Sequence, residues 1–168
     1  MTQKLFLLFS IGRDRYALQA SDVAVVLPLA QCKQVPGTPP WVRGLLSHGS
    51  RHVPVIDLTH LAQGQPSALR LSTRVVLVHY APAGRSSELL GLVLEQAAST
   101  LRCDPDDFLN SGISNDEARY LGPVMHHHDG LLQWVKVDEL LDDATRALLY
   151  PDIADVAGVA PQAPEEGA

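Results

Sequence analysis

The chain has 168 residues, 46% hydrophobic and 19% charged, the proportions of one ordinary globular domain or two small subdomains. Nineteen acidic against thirteen basic residues give a net charge of −6, and the basic residues form no run, which argues against a nucleic-acid partner. No apolar stretch approaches the roughly 20 residues of a spanning helix, which argues against membrane insertion. Cys32 and Cys103 lie far apart with no C-x-x-C, as expected of thiols in a reduced cytosolic compartment; a Cys32–Cys103 disulfide is the alternative.

The N-terminal MTQKLFLLFSIGRD carries an apolar part of residues 5–9 only, with no small-residue cleavage site after it, so it reads as a first strand rather than a signal peptide. A polar turn at residues 12–15 and a returning strand at Tyr16-Ala17-Leu18 follow. Ser21-Asp22 can cap a helical turn reaching Ala24. Residues 23–27, VAVVL, are apolar at every position, which predicts a buried segment or an apolar edge facing a partner.

The most informative stretch is 36–58, PGTPPWVRGLLSHGSRHVPVIDL. Three prolines and a glycine around Thr38 are turn chemistry. Leu45-Leu46 makes a short apolar pair, Ser47-His48-Gly49-Ser50 an exposed loop, and residues 53–58 a run of strand length. Loops held by two strands commonly carry binding contacts.

Residues 61–72 read as a connector, residues 74–80 as a strong strand and residues 81–85 as a loop. Strands are expected at 89–94 and 100–102, a turn at 104–108, and a polar loop at 110–116. A hairpin follows, with strands 120–125 and 131–137 around His126-His127-His128-Asp129-Gly130. A helix is expected over 138–149, its early acids suiting the helix N-terminus, stopped by Pro151. Residues 151–168 are rich in Ala, Pro, Gly and acids and lack any aromatic residue, as expected of a disordered tail. Many short strands, Gly/Pro turns and little helix predict an all-β barrel fold.

The run Thr38-Pro39 through Val42 and Gly44, followed ten residues after that glycine by Pro54-Val55-Ile56-Asp57-Leu58, resembles the CheW-like domain of bacterial chemotaxis coupling proteins, which also ends CheA histidine kinases. Gly91-Leu92-Val93-Leu94-Glu95 fits a second family pattern loosely. The resemblance covers roughly residues 4–150. It implies two packed SH3-like five-stranded barrels, mostly residues 1–61 and 74–135, plus a C-terminal helix near 138–149.

It also implies a non-catalytic cytoplasmic adaptor that joins the tip of a methyl-accepting chemoreceptor to a CheA-like histidine kinase and is recruited to membrane receptor arrays. On that basis Val23, Val25, Ser47, His48, Gly49 and Arg51 are the expected receptor-facing residues. Val53, Val55, Gly91, Leu92 and Val93 are the expected kinase-binding strand positions. The family carries Asn-Leu-Arg-Gly where this chain has Ser47, His48, Gly49 and Ser50, and an acidic residue where Val25 stands. The loss of the family arginine at Gly49 leaves two further readings: a divergent, non-flagellar pathway, or a scaffold that binds kinase but not receptor.

No catalytic constellation accompanies these features. Phosphate-loop, nucleophile-elbow and H-E-x-x-H motifs are absent, and no cofactor is expected. His126 and His128 would share one strand face at best, and His48, His52 and His60 lack ligand spacing, so a histidine metal protein is the minor alternative. Asp57 reads as a structural carboxylate that caps a turn or accepts from a nearby backbone amide.

Overall fold

The structure is a computed structural model describing residues 2–82, 86–128 and 130–151. The expected tail beyond residue 151, part of the 81–85 loop and the turn residue Asp129 lie outside the described residues.

Strand alternation explains the architecture. β1 (Lys4–Ile11) turns through Gly12, at φ 61, into the antiparallel β2 (Asp14–Gln19). Because successive side chains point to opposite faces, β1 feeds two cores: Phe6 and Leu8 enter one, Leu7, Phe9 and Ile11 another. A 3-10 turn, Ala20–Asp22, ends sooner than expected, and β3 (Val23–Pro28) begins directly after it. Among the described residues β3 pairs only with β6 (Arg74–Tyr80), and it alternates between half-buried and exposed residues, so it is an edge strand and not a segment buried on every side.

β4 (Val42–His48) and β5 (Arg51–Asp57) form a tight hairpin. A helix that the sequence pattern did not reveal, α1 (Leu58–Gln63), starts inside the expected strand and connector. The strands expected at 89–94 and 100–102 are one 16-residue strand, β7 (Glu88–Cys103). β8 (Leu121–His127) and β9 (Gly130–Val135) form the expected hairpin. The expected helix over 138–149 is instead a 3-10 turn, Val137–Glu139, followed by α2 (Asp143–Leu149), capped by the Asp142 carboxylate accepting from the Thr145 amide at 2.7 Å.

The strands build two SH3-like barrels that share β7. Its first half pairs with β6 antiparallel and β5 parallel; its second half pairs with β1. The passage between them occurs at a register irregularity where Gln96 takes φ 52 and its side-chain oxygen accepts from the Ser10 hydroxyl at 2.8 Å. The terminal barrel is therefore β1, β2, β8, β9 and the end of β7, and the central barrel is β3, β4, β5, β6 and the start of β7. This differs from a division into residues 1–61 and 74–135: β1 and β2 leave the first half of the chain to pair with β7 and β9.

Three apolar clusters match that plan. Phe6, Leu8, Ala17, Phe108 and Leu132 fill the terminal barrel, with Phe6, Phe108 and Trp134 in mutual ring contact at 5.0–5.2 Å. Leu46, Val53, Val55, Val75, Leu77 and Val93 fill the central barrel. The largest cluster, including Phe9, Ile56, Val76, Leu90 and Leu92, lies between the two. Each fully buried side chain of this size stabilises by about 1.5–3 kcal/mol, so the layer between the barrels fastens them as firmly as either interior is packed. Both cysteines are free thiols, and Cys103 is buried in the terminal barrel.

Candidate partner-binding site

The candidate site is the β4–β5 hairpin, and its shape begins at Gly44. Gly44 has φ 131, and a Cβ there would lie 2.0 Å from the Lys33 carbonyl oxygen, so no other residue fits. That close approach lets Lys33 and Leu45 exchange two backbone hydrogen bonds of 2.8 Å, clamping the 28–42 connection against β4.

At the other end, the ladder pairs Ser47 with His52 and His48 with Arg51, leaving only Gly49 and Ser50 as the turn. The four-residue loop expected over 47–50 is thus half strand. Gly49 has φ 61 and open space around it, the pattern of a two-residue turn with glycine at its first position.

Asp57 anchors the hairpin's base. It is completely buried and accepts from the His60 amide (3.2 Å), the Ser67 amide (2.9 Å) and the Ser67 hydroxyl (2.6 Å), with the Arg43 guanidinium 3.8 Å away. It caps α1 and ties the connector to the strand. Beside the hairpin tip Arg51 lies 4.0 Å from Glu88, an exposed pair. Tyr150 closes the outer side: its hydroxyl donates to the Leu89 carbonyl at 2.6 Å, and its ring stacks on Tyr80 at 5.4 Å. Burial, followed by the neighbouring Tyr80, holds the Tyr150 hydroxyl far above the usual tyrosine range. Together Arg51, His52, Pro54, Glu88, Leu89 and Tyr150 line a groove of about 290 Å³.

The structure brings Ser47, His48, Gly49 and Arg51 into one exposed hairpin end. It does not offer Val23 and Val25 outward. Val23 packs on the core between the barrels and Val25 on the central barrel, a register shift lying between them. The outward residues of β3 are Ala24, Val26 and Pro28, with Val26 43% exposed. The period-2 rule would have found them once the segment was read as an edge.

The side chains of Val53, Val55 and Val93 face the central barrel's interior, and Leu92 lies between the barrels. Gly91 is interior as well, where a Cβ would meet Val55 at 2.8 Å. These five positions do not present contact side chains: from Val53 onward β5, and over residues 91–94 β7, lie between neighbouring strands and are buried on both faces. Glu88 and Tyr150 also border the Arg51 groove, although nothing in their local sequence marks them as neighbours of residue 51.

Among the described residues no group of three or more His, Cys, Asp or Glu could hold a metal ion. His126 and His128 do not share a strand face, because β8 ends at His127 and His128 turns at φ 53. Among the described residues no helix is long and apolar enough to cross a membrane.

The CheW-like domain family matches residues 5–145, and the chain belongs to that family. The scaffolding protein TtCheW from Thermoanaerobacter tengcongensis has a similar crystal structure, with a TM-score of 0.73 and 19% identity over 86% of this chain and 92% of that one. No curated protein sequence matches the chain significantly.

Proposed function

We propose that this CheW-family chain is a cytoplasmic, non-catalytic adaptor that couples the tip of a methyl-accepting chemoreceptor to a CheA-like histidine kinase at membrane receptor arrays. The observation that carries the reading is family membership over residues 5–145, and the exposed end of the β4–β5 hairpin supports it as a contact surface. Its work is differential binding: holding the kinase where the conformational bias of a receptor reaches it.

The receptor contact falls to Ser47, His48, Gly49 and Arg51, with Ala24 and Val26 of the β3 edge supplying apolar surface. The kinase contact falls to the outward rim of β5 and β7, at Arg51, His52, Glu88 and Leu89, instead of the interior valines of those strands. Titration calorimetry with a CheA-like kinase and, separately, a receptor tip from the same organism tests this. Saturable binding of both is expected, in the micromolar range that tens of micromolar protein detects. Absence of heat with the kinase would sink the coupling reading.

A second reading, a scaffold that binds kinase but not receptor, is favoured by one observation. Gly49 offers no side chain where the family carries a guanidinium with five donors. Heat with the kinase and none with any receptor tip would select it.

A further inference from the structure

The terminal barrel carries another groove, of about 690 Å³, bounded by the β1–β2 turn, the later part of β7 and the β8–β9 turn. It belongs to the opposite barrel from the hairpin and plays no part in the proposed coupling contacts. Arg13, Arg15, Ser99, Thr100, His127 and His128 line it.

Arg15 is held in place. Its two terminal nitrogens donate to the Ser10 hydroxyl at 2.9 Å and the Ser99 hydroxyl at 3.1 Å, and Ser10 donates onward to Gln96. A guanidinium has five N–H donors, so this leaves several for a ligand while fixing the plane of the fork. Among the described residues no carboxylate forms an ion pair with Arg13 or Arg15.

Asp14 stands between them in sequence and borders the groove, but strand alternation sets it on the face of Tyr16, whose hydroxyl is raised by burial and then by the Asp14 charge. The rings of His127 and His128 lie 4.2 Å apart. Burial lowers the His127 pKa, and the charges of His128 and Arg15 lower it further. Asp129, the remaining charged residue of that turn, lies outside the described residues. In a chain of net charge −6, two arginines and two histidines thus line one groove, with Asp14 the one carboxylate among its described lining residues.

We propose that this groove binds a phosphate monoester, with the fork of Arg15, the side chain of Arg13 and the ring of His127 as contacts to the phosphate oxygens. A guanidinium fork matches two phosphate oxygens at once, and the dianion relieves the repulsion among the groups around it. The groove is much larger than an ion, which leaves room for the ester's organic part.

Titration of the full chain with O-phosphoserine, following the His127 ring by proton NMR, tests the assignment. The expected result is a saturable shift and a rise in the His127 pKa. Inorganic phosphate should act more weakly, and sodium chloride at equal ionic strength should have no such effect. Arg15→Gln should weaken binding about tenfold or more, Arg15→Lys should restore part of it, and the remote Arg70→Gln should leave it unchanged. The thermal melt of each variant confirms that it is folded. A shift that chloride reproduces, or that survives in folded Arg15→Gln, overturns the site. Equal binding of inorganic phosphate overturns the monoester.

Discussion

Gly44 lies so close to the Lys33 carbonyl oxygen that a Cβ on it would stand 2.0 Å away, well inside contact distance. The neighbour is backbone, which cannot swing aside as a flexible side chain would, and φ 131 is itself costly for any L side chain. Gly44→Ala is therefore expected to destabilise by roughly 3 kcal/mol or more, or to prevent folding. Urea denaturation read by far-UV circular dichroism measures it; a loss below about 1 kcal/mol would show that the 28–42 connection is free to move off β4.

Gly49 is the contrasting case. It also has positive φ, but nothing lies within 4 Å of its missing Cβ. Gly49→Ala and Gly49→Arg should each lose only about 1–2 kcal/mol, by equal amounts, because the cost lies in the backbone alone. On a receptor tip of the common family type, Gly49→Arg should then bind about ten- to a hundredfold more tightly than Gly49→Ala, from one well-placed charge-assisted hydrogen bond. Calorimetry on the two variants decides it. Equal affinities would remove this hairpin from receptor reading, and tight binding by the unaltered chain would pass the role to His48 or Arg51.

The chain end tests the boundary of the fold. Tyr150 is half-buried, stacked on Tyr80 and bonded to Leu89. A chain cut after Pro151 should melt within a few degrees of the full chain, since residues 152–168 lack the apolar content to build a core. Tyr150→Ala should cost about 2–4 kcal/mol and lower the melting temperature by several degrees. A large loss from the cut alone would place part of the tail on the barrels.

Acid should loosen α2 first through its cap. The Thr145 backbone hydrogen bond, aided by that residue's hydroxyl and by Arg146, lowers the Asp142 pKa below the usual aspartate value of about 3.9. The folded chain then binds fewer protons there than the unfolded one, so stability from this cap is complete above that usual value and is lost as pH falls through the lowered one. Asp142→Ala should lose about 0.5–1 kcal/mol at pH 7 and show a smaller acid dependence than the unaltered chain below pH 4. Melting curves between pH 2 and 7 measure both, and parallel curves for the two proteins would reject the assignment.

Legibility in the sequence followed locality. The runs around β1, β6 and the β8–β9 hairpin are dense in apolar and β-branched residues and bounded by turn residues, so they announced themselves. The motif around Gly44 and residues 54–58 carried the family. What stayed hidden depended on distant partners. Residues 95–100, EQAAST, look like a break in the apolar pattern, yet β7 runs through them because β1 supplies the pairing. Leu58 reads as the last residue of a strand until the Asp57 carboxylate is seen capping the helix that Leu58 begins. The outward face of β3, Ala24, Val26 and Pro28, was not legible because a wholly apolar run gives period-2 alternation no contrast to act on.

The shared strand has a consequence for dividing the molecule. A chain split within residues 64–72 would leave β1–β5 on one fragment and β6–β9 on the other. The first would hold two strands of the terminal barrel and three of the central one; the second, carrying all of β7, would hold the complement of each. Neither piece contains a whole barrel, so neither should fold by itself, while the mixed pieces can reassemble. The same weave forbids the barrels from rocking like beads on a string. Whatever binds one is held at a set distance and angle from whatever binds the other, as by a rigid bracket.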